Sequence, residues 1–312
     1  MYFPVRDGIF QKRIADLRAV DGVNLQIKKG EILGLVGETG CGKTTLGRCL
    51  LRLLKATAGR IYYKGMDISK FSQAKMRGMC QYLQMIFENP YYSLDPSMRV
   101  WQLITEPLKI HHLAKSKGLR ERADDLLRMV ELQPYHAERF PNELSGGERQ
   151  RVEIARALAT APFFLVCDNP LAHLDVSIQS QLILLFSQLR ERHDLTYLFI
   201  AHDLALIRRI SDRITVMYSG KFMEEADCEE FFNHPLHPYS LALLSAVMVP
   251  DPKIERARKV LLLPGELPSP ISPPTGCRFH TRCQRVQLPL CSNEKPDLRE
   301  VKTGHFVACH FV

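Results

Sequence analysis

The 312 residues are 46% hydrophobic and 24% charged, enough apolar content for one large domain with an appendage and too balanced for a disordered or low-complexity chain. No run approaches the roughly 20 consecutive apolar residues of a membrane helix, and the opening MYFPVRDGIFQKR lacks the apolar core of a signal peptide, so the cytosol is the expected compartment. A net charge of +8 fits anionic partners or an ordinary solvated surface equally well, while nine cysteines in such a chain argue against a disulfide scaffold and direct attention to any clustered set as a metal site.

The first clear buried strand is EILGLVG, and it runs into GETGCGKTT. Gly37, Gly42, Lys43 and Thr44 satisfy GxxxxGK[ST] in the strand-loop-helix setting that gives the pattern its meaning. Glycines there let the backbone curl around phosphates, and successive N–H groups with the helix N-terminus supply positive potential. Lys43 reaches the terminal phosphates and Thr44 ligates magnesium. The following helix is expected to begin near Thr44, to place Leu46, Leu50, Leu53 and Leu54 on one face, and to stop at Gly59.

Up to about residue 245 strand-like runs alternate with helical patterns, the form of an α/β domain around a largely parallel sheet. The exception is about 95–155, where helical segments such as LRERADDLLRMVEL lead into the turn LSGGE and a further helix, which reads as a helical subdomain. FFLVCD is a second buried strand ending on Asp168, a carboxylate placed to hold a magnesium shell, although many buried strands end on an acidic turn residue. Asp175 is positioned as the N-cap of the next helix, with Ile178, Leu182, Leu185 and Leu189 as its inward stripe, and TYLFIAHD is the third strand.

From about residue 250 prolines crowd into PDP, LPGELPSPISPP and LPL, so the expected division is 1–249 and 250–312. Cys277, Cys283, Cys291 and Cys309 follow Cx5Cx7Cx17C in that extension. Four thiolates suffice for one metal centre, yet the spacing is neither that of a zinc ribbon nor that of a bacterial ferredoxin, and four free thiols in a packed tail are the alternative. Cys41 lies inside the phosphate loop, where a small side chain is all that is required, and Cys49, Cys80, Cys167 and Cys228 read as small buried hydrophobes.

LSGGERQR, residues 144–151, taken with the phosphate loop and the strand ending on Asp168, resembles the signature of ABC ATPases along nearly the whole chain. The resemblance implies a P-loop NTPase core of the ABC type, α/β with antiparallel β and helical subdomains, plus the proline- and cysteine-rich extension. It implies that Gly37, Glu38, Thr39, Gly40, Cys41, Gly42, Lys43, Thr44 and Thr45 hold ATP, with Mg2+ held by Thr44 and Asp168 and by Glu88, a carboxylate at the position of the family's usual glutamine. Two such domains dimerise head to tail in that family, so Ser145, Gly146, Gly147 and Glu148 would meet the γ-phosphate on the opposite subunit. His202 matches the switch histidine, and Asp175 the aspartate that spans the dimer interface. Tyr2 resembles the aromatic that stacks on adenine, without the strand that usually precedes it.

NHPLHPYSLALLSAV and LPGELPSPISPPTGCRFHTRC resemble the C-terminal region of oligopeptide, dipeptide and nickel importers, which implies a structural [4Fe-4S] cluster on the four cysteines. Asn89, Pro90 and the following YYSLDP resemble the segment beside which a permease's coupling helix docks. The expected assembly is a peripheral subunit at the cytoplasmic face of the inner membrane. Its implied partners are a second ATPase subunit, two transmembrane permease subunits and, indirectly, an external solute-binding protein, with no nucleic acid. Soluble ABC proteins of ribosomes or DNA carry both cassettes or a long coiled coil, and this sequence has neither. Peptide, nickel or another small solute stays open as the cargo.

Two positions depart from the family. A glutamate normally follows the magnesium aspartate and polarises the attacking water; here it is Asn169, whose amide accepts no proton. Loss of a general base lowers rates by ~10² to 10⁴, so this chain's own site is expected to bind ATP and turn it over poorly. The loop that normally reads FQ reads FEN, which puts the Glu88 carboxylate near the triphosphate. Both changes suit a heterodimer whose other subunit carries the missing glutamate, and the alternative is a regulatory subunit that binds nucleotide without hydrolysing it.

Overall fold

The computed structural model describes residues 1–8, 11–114, 118–247 and 260–312. The expected 249/250 boundary lies outside them. The chain forms two compact units, one of Met1–Gln26, Ile32–Arg60 and Ala201–Val312, the other of Ile27–Glu31 and Ile61–Ile200.

In the first unit the strand Ile32–Val36 is buried along its whole length, as an uninterrupted ILGLV run requires when both faces are covered. It pairs in parallel with Arg213–Tyr218, matching Leu33 with Arg213 and Val36 with Val216. Arg213–Tyr218 then pairs antiparallel with Lys221–Asp227, which takes His305–Val307 and, at the edge, Arg299–Lys302. The tail is thus hydrogen-bonded into the same sheet as the phosphate-loop strand. A fully buried contact fixes it there: His305 Nε2 lies 2.7 Å from Glu224 Oε1, and the Glu224 carboxylate also accepts the backbone N–H groups of Leu236 and His237. A separate antiparallel ribbon joins Tyr2–Asp7 to Lys12–Arg18.

The second unit holds three parallel strands, Leu83–Ile86, Phe164–Asp168 and Thr196–Ile200. Against them lies the helix Val176–His193, whose Leu182, Leu185, Phe186 and Leu189 are buried, with Phe186 edge-on to Tyr197 and Phe199. Between about 95 and 155 the described residues form no strand, and the helices Val100–Ile110, Leu119–Met129 and Gly146–Leu158 bury Leu103, Ile104, Leu126, Leu127, Val152 and Ile154 among themselves. Among the described residues no helix is long and apolar enough to cross a membrane.

One sequence expectation fails on length. The helix after the phosphate loop runs only from Lys43 to Leu50, well short of Gly59. Arg52 adopts a left-handed φ of 58°, and the N–H groups of Leu53 and Leu54 both turn back to the Arg48 carbonyl, which ends the helix early. Leu53 is left exposed rather than on the inward stripe.

Candidate nucleotide site

The sequence-predicted residues fall into two sets, one on each unit. The phosphate loop belongs to the first, and its shape follows from two glycines. Gly37 (φ 148°) and Gly42 (φ 110°) occupy backbone conformations that other residues avoid. A Cβ added at either would lie 2.1 Å from a carbonyl oxygen, that of Met217 or that of Ala19. The loop therefore curls against its own sheet, and Lys43 opens the helix from beneath it. Lys43 is 5% exposed; its ammonium donates to the Gly37 carbonyl at 2.6 Å and to the Glu38 carbonyl at 3.0 Å. Cys41 is buried beside it, with Sγ 3.6 Å from Lys43 Nζ, and burial pushes its thiol up, so it serves as a small filler.

Glu38, the acidic residue of the loop, is held at three points. Its N–H donates to Tyr239 Oη at 2.9 Å, its carbonyl accepts from Lys43, and its carboxylate meets Arg282 Nη1 at 2.7 Å. Nothing in the local sequence signals the last contact. Arg282 lies inside CRFHTRC, where the cysteines drew the attention and a pairing 244 residues away has no periodic trace. Arg278 of the same segment pairs with Asp21, which also accepts from the Tyr2 hydroxyl. Burial pushes the Asp21 carboxyl up, but Tyr2, Lys221 and Arg278 outweigh it and bring it down to about 2. Tyr2 itself opens a strand, with the Arg18 guanidinium 5.7 Å from its ring centroid. His202 is exposed and follows Ala201, whose N–H reaches the Leu35 carbonyl of the phosphate-loop strand.

In the second unit Asp168 ends its strand buried, and Asn169 follows it at a left-handed φ of 55°. Asparagine tolerates that conformation better than most residues. The two residues that depart from the resembled motifs meet here: Asn169 Nδ2 donates to Glu88 Oε1 at 2.9 Å. The loop carrying Glu88 is tied down by Glu153, which accepts the Phe87 N–H at 3.0 Å. Burial raises the Glu153 carboxyl to about 7, against the pull of that N–H.

Ser145 is the N-cap of Gly146–Leu158 in a reciprocal box with Glu148: Ser145 N–H donates to Glu148 Oε2 at 2.8 Å, and Glu148 N–H to Ser145 Oγ at 3.3 Å. The Ser145 N–H, followed by the Ser145 hydroxyl and His136, holds the Glu148 carboxyl below its ordinary range. Both glycines also have packing reasons to be small. A Cβ on Gly147 would come within 2.9 Å of Ile178, and one on Gly146 within 3.3 Å of Leu174. Asp175, exposed, occupies the N-cap position of Val176–His193 without bonding the helix through its side chain.

The expected [4Fe-4S] cluster is overturned. Cys277, Cys283, Cys291 and Cys309 are free thiols bordering one recess of about 30 Å³, room for one or two waters, together with Phe279 and His237. Among the described residues no three His, Cys, Asp or Glu side chains converge as a metal site. The setting is apolar as well: burial pushes the Cys277 thiol up to about 11 and raises that of Cys283, the surroundings in which a thiol packs as a small hydrophobe. The four-free-thiol alternative is the one that holds.

Comparison with known proteins agrees with the fold. Residues 20–172 match the family described as ABC transporter, and residues 223–291 the family described as Oligopeptide/dipeptide transporter, C-terminal region. The oligopeptide transport ATP-binding protein AppF of Bacillus subtilis (strain 168) is 48% identical over 310 residues, 99% of this chain and 94% of that protein. OppF of Salmonella typhimurium, also described as an oligopeptide transport ATP-binding protein, is 44% identical over 99% of this chain and 93% of its own length. Among solved structures, a dimeric post-hydrolysis state of the ATP-binding cassette MJ0796 bound to ADP and Pi superposes with a TM-score of 0.64 at 28% identity, over 73% of this chain and 96% of that one. With an ABC cassette fold and near full-length identity of this order, the chain belongs to the ATP-binding proteins of the ABC transporter family, in the branch that carries the oligopeptide/dipeptide C-terminal region.

Proposed function

We propose that the chain is the ATP-binding subunit of an importer for oligopeptides, bound peripherally at the cytoplasmic face of the membrane beside two permease subunits and a second ATPase subunit. The observation that carries the nucleotide part is the phosphate loop, in which two glycines without steric alternative set the curl and the buried Lys43 ammonium is already oriented by the loop's own carbonyls. Peptide as the cargo rests on what AppF and OppF are described as transporting.

In this reading residues 37–45 grip the triphosphate through backbone N–H groups, Lys43 neutralises its terminal charge, and Tyr2 stacks on the base. Thr44 of the first unit, and Asp168 and Glu88 of the second, are the residues that would hold magnesium; a hydroxyl and two carboxylates are hard oxygen donors of the kind that cation takes. Bound there, the ion would offset charge on the phosphate oxygens. Ser145, Gly146, Gly147 and Glu148 serve the partner subunit's nucleotide, and Asp175 and His202 complete the dimer contact. Permease docking on the segment from Asn89 is supported by the exposure of Tyr91 and Tyr92 and by a neighbouring groove of about 220 Å³ lined by Phe87, Glu106, Ile110 and Arg156.

The site on this chain's own loop is degenerate in this account. Asn169 offers an amide donor, already engaged by Glu88, where a proton acceptor is needed. The same hydrogen bond favours the second reading, a subunit that closes on ATP without hydrolysing it. Steady-state turnover separates the possibilities. The purified chain alone is expected to hydrolyse MgATP very slowly, and a complex with its partner ATPase to do so readily. Brisk turnover by this chain alone would refute the degenerate site, and a complex as slow as the lone chain would favour the purely regulatory subunit. Co-purification with membrane subunits, followed by identification of those chains, tests the transporter assignment.

A further inference from the structure

The contact between Arg282 and Glu38 is explained neither by the fold of the tail nor by the chemistry assigned so far. The tail is already secured by its strand pairing and by the buried His305–Glu224 contact. Arg282 is nevertheless placed with a side chain only 9% exposed, in a segment whose cysteines form no metal site among the described residues. Its Nε donates to the Pro264 carbonyl at 3.1 Å, and its guanidinium carbon lies 6.0 Å from the Tyr218 ring centroid. Tyr218 packs edge-on to both Tyr239 and Phe279. The guanidinium thus leans on an aromatic cluster and meets the one acidic side chain of the loop GETGCGKTT.

The charge of that loop is otherwise at odds with its task. A triphosphate needs positive potential, and Glu38 puts a carboxylate on the same five-residue turn whose carbonyls orient Lys43. We infer that Arg282 is a positioning residue for nucleotide: acting through Glu38, it cancels the loop's negative charge and fixes the residue whose carbonyl orients Lys43, so that the C-terminal extension sets the affinity of the phosphate loop. This rests on the reading of residues 37–45 as the ATP site.

A purely structural clamp and a charge-setting contact predict different signs, and MgATP affinity of the full-length chain, measured by titration calorimetry, reads the sign. Arg282→Gln leaves the carboxylate uncompensated beside the phosphates and is expected to weaken binding about tenfold. Glu38→Gln removes the negative charge while Arg282 stays, and is expected to tighten binding about threefold. The double variant should fall between the two, and raising the salt should narrow the gap between the single variants. Arg282→Lys, which keeps the charge, should recover most of the loss. Unchanged affinity in Arg282→Gln, or weakening by Glu38→Gln equal to that of Arg282→Gln, would overturn the inference. Should Arg282→Gln not fold, the direction of the Glu38→Gln effect still decides. Lys43→Ala run alongside separates the two levels: wild-type affinity in that variant removes the ATP reading itself, whereas its loss together with an inert Arg282→Gln removes only the role of Arg282.

Discussion

Two strands of this protein end in sharp turns to which the proposed function assigns chemistry, and they are built by different means. After Ile32–Val36 the chemistry is written in the backbone: Gly37 and Gly42 have no substitute, because any Cβ would strike a carbonyl oxygen. After Phe164–Asp168 it is written in one side chain, Asn169, whose left-handed backbone suits asparagine and whose amide donates to Glu88. A turn of the first kind resists change through sterics. One of the second kind can change its side-chain chemistry and keep its shape, which in the proposed reading leaves nucleotide binding intact while turnover declines.

The largest effect expected from this contrast is on rate. Asn169→Glu should raise ATP turnover at this chain's own loop by about 10²-fold or more, and it should cost about 1 kcal/mol of stability, because glutamate takes the left-handed backbone less readily. Turnover kinetics with a denaturant titration check both halves; unchanged turnover would mean that something other than the missing base limits the site. Gly42→Ala should act in the opposite manner, destabilising the fold by about 3 kcal/mol or more in urea unfolding and removing nucleotide binding with it. A tolerated Gly42→Ala would erase the distinction between the two turns.

A pH experiment probes the loop that brings Glu88 to Asn169. The Glu153 carboxyl is raised from its ordinary 4.5 to about 7 in the folded protein, so the native state holds a proton that the unfolded chain has released. Its contribution to stability is favourable below about 4.5 and is lost as pH rises through about 7, a change on the order of 3 kcal/mol. Glu153→Gln keeps an acceptor for the Phe87 N–H and should flatten that part of the stability profile, raising the midpoint at pH 8 relative to wild type. The smallest effects are expected in the tail. Cys283→Ser and Cys309→Ser, at partly exposed thiols, should each change stability by about 1 kcal/mol or less and leave MgATP affinity as it was.

What the sequence disclosed follows the same division. The phosphate loop, the three buried strands and the helical stretch before Phe164 were legible because they depend on residues near one another in the chain. The end of the helix after Lys43 was not, since its leucine spacing continues past Arg52, where only the backbone turns. The cysteine spacing misled because it records composition, whereas a metal site needs convergence that tertiary packing alone decides. Arg282 and Glu38, like Asn169 and Glu88, are long-range pairs whose members looked unrelated until the chain folded.

The proposed function depends on the ammonium of Lys43 facing a bound triphosphate. Titration of MgATP into the Lys43→Ala chain tests that directly: affinity should fall by about 100-fold or more while circular dichroism shows the unliganded protein still folded. Binding as tight as that of the wild-type chain would contradict the account.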